Sequence, residues 1–370
     1  MRRIKELDSI RGLAALSIVF FHLRFQAISI LGTPVDLFFV LSGYLITTII
    51  LTNSLNDNFL LSFYARRALR IWPIYYLTLL ALVVIYPFLP PCGSLHDLPY
   101  YLTFTQELPR YRPTVDPSFP SAFRHTWTLA IEEQFYLIWP PLIWWLGKKR
   151  VPIAAASLVI LALVARSQNL SAFILATHLD GLVLGGLLAG LLADRDRPAE
   201  YWRRFGVRLR VLGVVSAVLY VAATIFPRVL STTWPGPDPA VMVYIFRPLF
   251  LSLAFFALVG TIVLHAGQPR LRLLRDKRLV YLGSISYGLY LYHHFIFEIC
   301  KYYQNYYNLA DALLLDIAKL ALSIGLSALS WRYVERPILG LKDRFLYHDV
   351  RPPERAVSRT VDDIATARAG

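Results

Sequence analysis

Apolar residues in this chain gather in blocks of roughly twenty, the length an α-helix needs to cross the hydrocarbon of a bilayer. Their approximate limits are 7–28, 30–52, 71–91, 125–147, 151–168, 171–193, 209–227, 241–265, 279–300 and 310–331. The pattern predicts an all-α polytopic membrane protein, a single bundle of about ten transmembrane helices. Residues 1–345 are expected to form the membrane domain and 346–370 a polar, disordered tail. Segment 55–70 mixes Phe59, Phe63 and Leu69 with Arg66, Arg67 and Arg70 and reads as an amphipathic helix on the inner membrane surface, ahead of the third span. Segment 92–124 is the longest outer loop, with a short helix expected within Leu98–Leu108. In the sixth span Gly181, Gly185 and Gly186 suit close helix contacts.

Charge fixes an orientation. With the N-terminus inside, the cytoplasmic segments hold 27 of the 38 Lys and Arg residues and the outer segments hold 5. Positive residues accumulate on the cytoplasmic side, so both termini are expected there. The net charge of +14 therefore sets topology and does not point to nucleic acid. Overall the chain is 56% hydrophobic and 17% charged, with a mean hydropathy of +0.49. Two cysteines, Cys92 and Cys300, give no disulfide framework and no metal-ligand spacing. The basic start MRRIK followed by an apolar run resembles a signal peptide, but Arg11 and His22 interrupt the run and no small-residue cleavage site follows. An uncleaved first span is expected.

Ionisable groups inside spans are costly and mark function. Arg11 and His22 lie eleven residues apart, about three helical turns, so they share one face about 16 Å apart along the axis. Placed by their distance from the outer ends of the spans, His22, Asp36, Glu133, Asp180, Arg247, and His293 with His294 all fall in one layer, about 9–12 Å deep. Glu132 and Glu133 are neighbours and point about 100° apart, so at most one is central; His293 and His294 pose the same choice. At the opposite face Arg67 and Arg70 are three residues apart, on one side of a helix. Their guanidinium groups suit bidentate phosphate binding, although anionic lipid is a competing partner. A lone Arg11 would snorkel to the inner headgroups.

The run D-S-I-R-G-L-A-A-L-S-I-V-F-F-H (Asp8–His22) and then V-D-L-F-F-V-L-S-G-Y-L-I (Val35–Ile46) resemble the acyltransferase-3 family of integral membrane O-acyltransferases. The family's R-x10-H pattern falls on Arg11 and His22, its R-x-x-R pattern on Arg67 and Arg70, and its E-x-x-Y pattern on Glu133 and Tyr136. The late S-Y-G-L-Y-L-Y-H (Ser286–His293) and the closing R-Y-V-E-R-P (Arg332–Pro337) are also similar. The resemblance implies transfer of an acyl group, commonly acetyl from acetyl-CoA, to a hydroxyl of a sugar or glycan. It further implies the form without an SGNH domain.

On that resemblance, acyl-CoA is a co-substrate, with no bound cofactor and no metal, and its phosphates dock on Arg67, Arg70 and Arg11. His22, oriented by Glu133, acts as general base or carries the acyl group transiently. Tyr136, Asp36, Arg247 and His293 support the substrate or transition state. Expected partners are membrane lipid, acyl-CoA and a glycan acceptor, and the expected location is the plasma membrane. A glycan or acyl-carrier transporter is the rival reading, since buried ionisable groups suit it equally. The chain has no internal repeat of the kind many transporters show.

Overall fold

In a computed structural model the described residues are 3–347, apart from 27, 86–87, 89–94, 108–120, 169, 172, 195–196, 231–238 and 308–312. Among them there is no strand. The helices are α1 (Lys5–Leu23), α2 (Pro34–Asn53), α3 (Phe59–Ile85), α4 (Leu98–Leu102) and α5 (Ser121–Arg124). Next come α6 (Trp127–Leu146), α7 (Val151–Ser167), α8 (Leu175–Ala193), α9 (Ala199–Leu230) and α10 (Pro239–Leu264). The chain closes with α11 (Lys277–Ser284), α12 (Ser286–Tyr306), α13 (Leu313–Ser330) and the short α14 (Arg336–Gly340). A π-turn at Trp331–Glu335 joins the last two.

Every predicted block falls on a long helix. Seven of these, α2, α3, α7, α8, α9, α10 and α13, are long and apolar enough on their own to cross a membrane. The chain is thus a helical polytopic membrane protein. The other three, α1, α6 and α12, span 19, 20 and 21 residues. They carry Arg11 and His22, Glu132 and Glu133, and His293 and His294. These three helices thus bear the histidines and the paired glutamates of the candidate chemistry, while Arg67 and Arg70 lie on α3. Outward faces are apolar instead: Val211, Val214 and Val218 of α9, Ile153 and Ile160 of α7, and Leu314, Ile317 and Leu329 of α13 are exposed. That is the pattern of helices whose outer solvent is hydrocarbon.

One boundary differs from the sequence reading. Segment 55–70 is not a separate surface helix; from Phe59 it continues through Pro73 to Ile85 as α3. A proline inside a helix costs about 3 kcal/mol. Phe63, Ile71 and Ile74 are buried in one core on both sides of it, where close van der Waals packing against neighbouring helices holds the two halves in line. Packing therefore carries the helix across the break, and Arg67 and Arg70 sit on a spanning helix. The expected outer helix is α4; Leu108 and the tail beyond Tyr347 lie outside the described residues.

Two close approaches hold the bundle in register. The α2–α8 pair meets at Gly43 and Gly185: a Cβ on Gly185 would stand 2.0 Å from the Val40 carbonyl, and one on Gly43 1.7 Å from the Leu182 carbonyl. Backbones meet directly there, as small residues allow in membranes. Likewise α11 presses on α1, with the Gly283 Cβ position 1.9 Å from the Asp8 carbonyl. This second approach brings the start of α1 against the α11–α12 corner, where the candidate site opens. Gly185→Ala forces the α2 and α8 backbones apart and is expected to cost about 1–3 kcal/mol, read as a lower thermal unfolding midpoint in detergent. Gly325→Ala, with open space around its Cβ position, is expected instead to stabilise α13 by about 0.5–1 kcal/mol.

Candidate active site

A cavity of about 490 Å³ opens among α1, α2, α3, α6, the α11–α12 corner and the segment from Trp331 to Tyr347. Along α1 its wall runs from Leu7 to Ile18, about 16 Å of helix. Its polar lining is strongly cationic: Arg3, Arg11, Arg66, Arg67, Arg70 and Lys342 face Asp8, Glu132 and Glu335. Arg3 is committed to Asp8 at 2.6 Å, and Arg66 donates to the carbonyls of Lys342 and Phe345. Arg11, Arg67 and Arg70 form no ion pair within 4 Å among the described residues. Arg67 lies over the rings of Phe63 and Tyr136, at 5.9 and 5.8 Å. All three arginines named from the sequence thus line one cavity with their donors free for an anion.

Of the two neighbouring glutamates the cavity takes Glu132, and not the predicted Glu133. Ser42 Oγ donates to Glu132 Oε1 at 2.8 Å and Tyr136 Oη donates to Oε2 at 2.8 Å. Glu132 and Tyr136 are four residues apart and so share a helix face, which Glu133 does not. Glu132 also stands in the field of Arg11 and Arg67. Glu133 turns toward α3, where it accepts from the Trp72 indole at 2.9 Å. Neither glutamate forms a hydrogen bond with His22 among the described residues. Tyr136, with its hydroxyl on Glu132 and its ring beside Arg67, belongs to the cationic part of the cavity and not to the level of His22.

The cavity ends one turn short of His22. Its top is formed by Ile18, Thr128 and Tyr290. Tyr290 Oη donates to the His125 carbonyl, so the 2.6 Å contact with Thr128 Oγ1 is donated by the threonine. Above this pair four histidines meet. His22 Nδ1 is 3.1 Å from His293 Nε2, and the His294 ring is 4.3 Å from the His22 ring, edge on. His125 stacks on His294 at 4.7 Å and lies 5.0 Å from His293. His22 is half-buried and His293 fully so. His22, His293 and His294 each offer a nitrogen within 4.8 Å of the others, the group among the described residues with separations fit for a metal ion. The 3.1 Å contact is of hydrogen-bond length and joins His22 to His293 directly. The sequence left His293 and His294 as alternatives; the structure brings both to His22.

Asp36 and Arg247 go elsewhere. Neither lines the cavity. Asp36 stands in the field of Asp180, Arg166 and Arg247, on the side of α2 that faces α7, α8 and α10. There Arg166 pairs with Asp180 at 2.9 Å, both side chains 2% exposed, and donates to the Thr177 carbonyl at 2.8 Å. The single layer of ionisable groups expected from sequence is therefore two clusters on opposite sides of α2. Depth along a helix was legible; azimuth around it was not. The sequence reading gave no role to His125 or Glu335. His125 heads an apolar run at the depth of the other histidines, and Glu335 stands in the Arg332–Pro337 motif, where it accepts from Ser330 at 3.1 Å.

A continuous helix aligns Arg11 with His22, with a cationic cavity along it and histidines beyond its end, so the site is a polar one buried within a bundle of membrane-length helices. The chain belongs to the acyltransferase-3 family: the model for its acyltransferase domain matches residues 4–332. Peptidoglycan O-acetyltransferase OatA of Listeria monocytogenes serovar 1/2a is 25% identical over 376 residues, covering 90% of this chain and 56% of the relative. O-acetyltransferase OatA of Staphylococcus aureus strain NCTC 8325 is 25% identical over 364 residues, covering 91% and 57%. The chain thus spans just over half the length of the curated relatives it matches. No solved structure matches it.

The Arg166–Asp180 pair supplies a test of the second cluster. Arg166→Leu strands a buried carboxylate and is expected to cost about 3–5 kcal/mol, whereas Arg166→Leu/Asp180→Leu recovers most of that loss. Thermal unfolding of the purified variants checks both.

Proposed function

We propose that this chain transfers an acyl group, acetyl in the first instance, from acyl-CoA to a hydroxyl of a cell-envelope glycan at the plasma membrane, with both termini in the cytoplasm. The observation that carries the reading is the cavity with three unpaired arginines at one end and His22 one turn beyond the other. The CoA phosphates bind Arg67, Arg70 and Arg11 from the cytoplasmic side. The pantetheine arm extends along α1 toward Ile18, past the Thr128–Tyr290 pair, a path of about 16 Å. The acceptor hydroxyl approaches His22 from the outer side. The names of the relatives make a peptidoglycan sugar the first acceptor to try.

A sugar hydroxyl is a poor nucleophile at neutral pH, and an imidazole is the side chain suited to take its proton in that range. His22 removes the proton as the oxygen attacks the thioester carbonyl. The tetrahedral intermediate expels the CoA thiolate, which takes the proton back from the imidazolium. The products are an O-acyl sugar and free CoA thiol. Glu132, held by Ser42 and Tyr136, balances the charge of the arginines around the donor. Glu132 thus acts at the donor end, a different role from the orienting of His22 expected of Glu133 from sequence.

His22→Ala is expected to reduce acceptor-dependent CoA-thiol release by about 10²–10⁴-fold, the scale of general-base catalysis, with the protein still folded. The assay uses purified chain in nanodiscs, acetyl-CoA and a peptidoglycan extract, with mass spectrometry of the glycan. Release unchanged in the variant would remove His22 from the chemistry. Glycan movement across the bilayer without thiol release would favour transport.

A further inference from the structure

The hydrogen bonds behind His22 determine which of its nitrogens is free. His293 Nδ1 lies 3.1 Å from the Leu289 carbonyl, one turn earlier on α12. A carbonyl oxygen only accepts, so Nδ1 carries the proton of that bond. His293 is fully buried. Its neighbours are the rings of His22, His125, His294, Tyr290 and Phe297, and it has no carboxylate partner among the described residues. A second proton would put an unpaired charge in that pocket. A neutral His293 with Nδ1–H has a bare Nε2, which can only accept. The group 3.1 Å from it is His22 Nδ1, so that nitrogen must donate. The reverse arrangement, with the proton on His293 Nε2, would set a bare Nδ1 against the lone pairs of the Leu289 carbonyl and leave both unsatisfied.

We propose that His293, anchored by the Leu289 carbonyl, fixes His22 in its Nδ1–H form, so that Nε2 of His22 is the nitrogen offered to the acceptor hydroxyl. His293 is on this account a positioning residue, and His294 packs edge-on against the His22 ring at 4.3 Å. The catalytic meaning rests on the proposed base role of His22; the tautomer itself does not. His125 provides a contrast within the same cluster. Its Nε2 lies 2.9 Å from the Tyr290 carbonyl, so it holds the opposite form, with the proton on Nε2.

Nitrogen-15 solid-state NMR of the full chain, labelled at histidine and held in lipid bilayers, reads the tautomers directly. Signals are assigned by their loss in His22→Gln and His293→Gln. The expected spectrum shows a protonated Nδ1 and a bare Nε2 at both His22 and His293. A protonated Nε2 at His22 in the wild-type protein overturns the proposal. In His293→Leu the imidazole acceptor is gone and only the Ile18 backbone remains as an acceptor for His22, so the share of the Nε2–H form at His22 is expected to rise, and thiol release to fall by about 10²-fold or more in kcat with the KM for acetyl-CoA unchanged. In His293→Gln the side-chain oxygen can accept from His22 Nδ1–H, and most of the rate and the wild-type tautomer are expected to return. A His22 tautomer unchanged in His293→Leu also overturns the proposal. Activity surviving in His22→Ala would instead refute the base role, and leaves the NMR result to stand on its own.

Discussion

The structure depends on how a mostly apolar bundle accommodates ionisable side chains, since each must be paired, satisfied or put to use. The molecule does this in two ways on the two sides of α2. Between α7 and α8, Arg166 and Asp180 neutralise each other in near-complete burial. Between α1, α3 and α6, Arg11, Arg67 and Arg70 line open space without an ion pair among the described residues. The first arrangement is a closed ion pair, in which Arg166 Nε is left without a hydrogen-bond partner among the described residues. The second holds cationic charge ready for an anion, and the cavity shape and the histidines above it are arranged around that charge.

The close packing that positions this cavity is also a matter of backbone contact. Gly283 against Asp8 brings α11 onto the start of α1, and the corner after it sends α12 back beside α1, so that His293 and His294 reach His22. On the other side Gly43 and Gly185 draw α8 onto α2, turning Ser42 to Glu132. The cationic cavity and the histidine cluster are thus stacked along α1 and separated by the hydrogen-bonded Thr128 and Tyr290.

Much of this was legible in the sequence, and the limits have physical causes. The Arg11–His22 face followed from an eleven-residue spacing in an uninterrupted helix, because angle and rise are fixed along one helix. The helices themselves followed from apolar length. Positions around neighbouring helices do not follow from spacing. Asp36 and Arg247 matched His22 in depth yet face the other side of α2. Glu133 fitted the family's three-residue step to Tyr136, whereas the four-residue step from Glu132 meets the tyrosine hydroxyl. His125 precedes α6, with no periodicity of its own to mark its direction. The join through Pro73 required knowing that Phe63 and Ile74 bury in one core.

On the proposed function, the unpaired arginines recognise the phosphates of an acyl-CoA donor. Calorimetric titration of CoA and of pantetheine, which lacks the phosphates, into wild-type protein and Arg67→Met/Arg70→Met in nanodiscs tests it most directly. CoA affinity is predicted to fall by about ten-fold or more in the variant, the scale of losing charge-assisted bonds of about 1.5–3 kcal/mol, while pantetheine binds both proteins alike. Equal CoA affinity in the two proteins would contradict the account and separate the cavity from the donor.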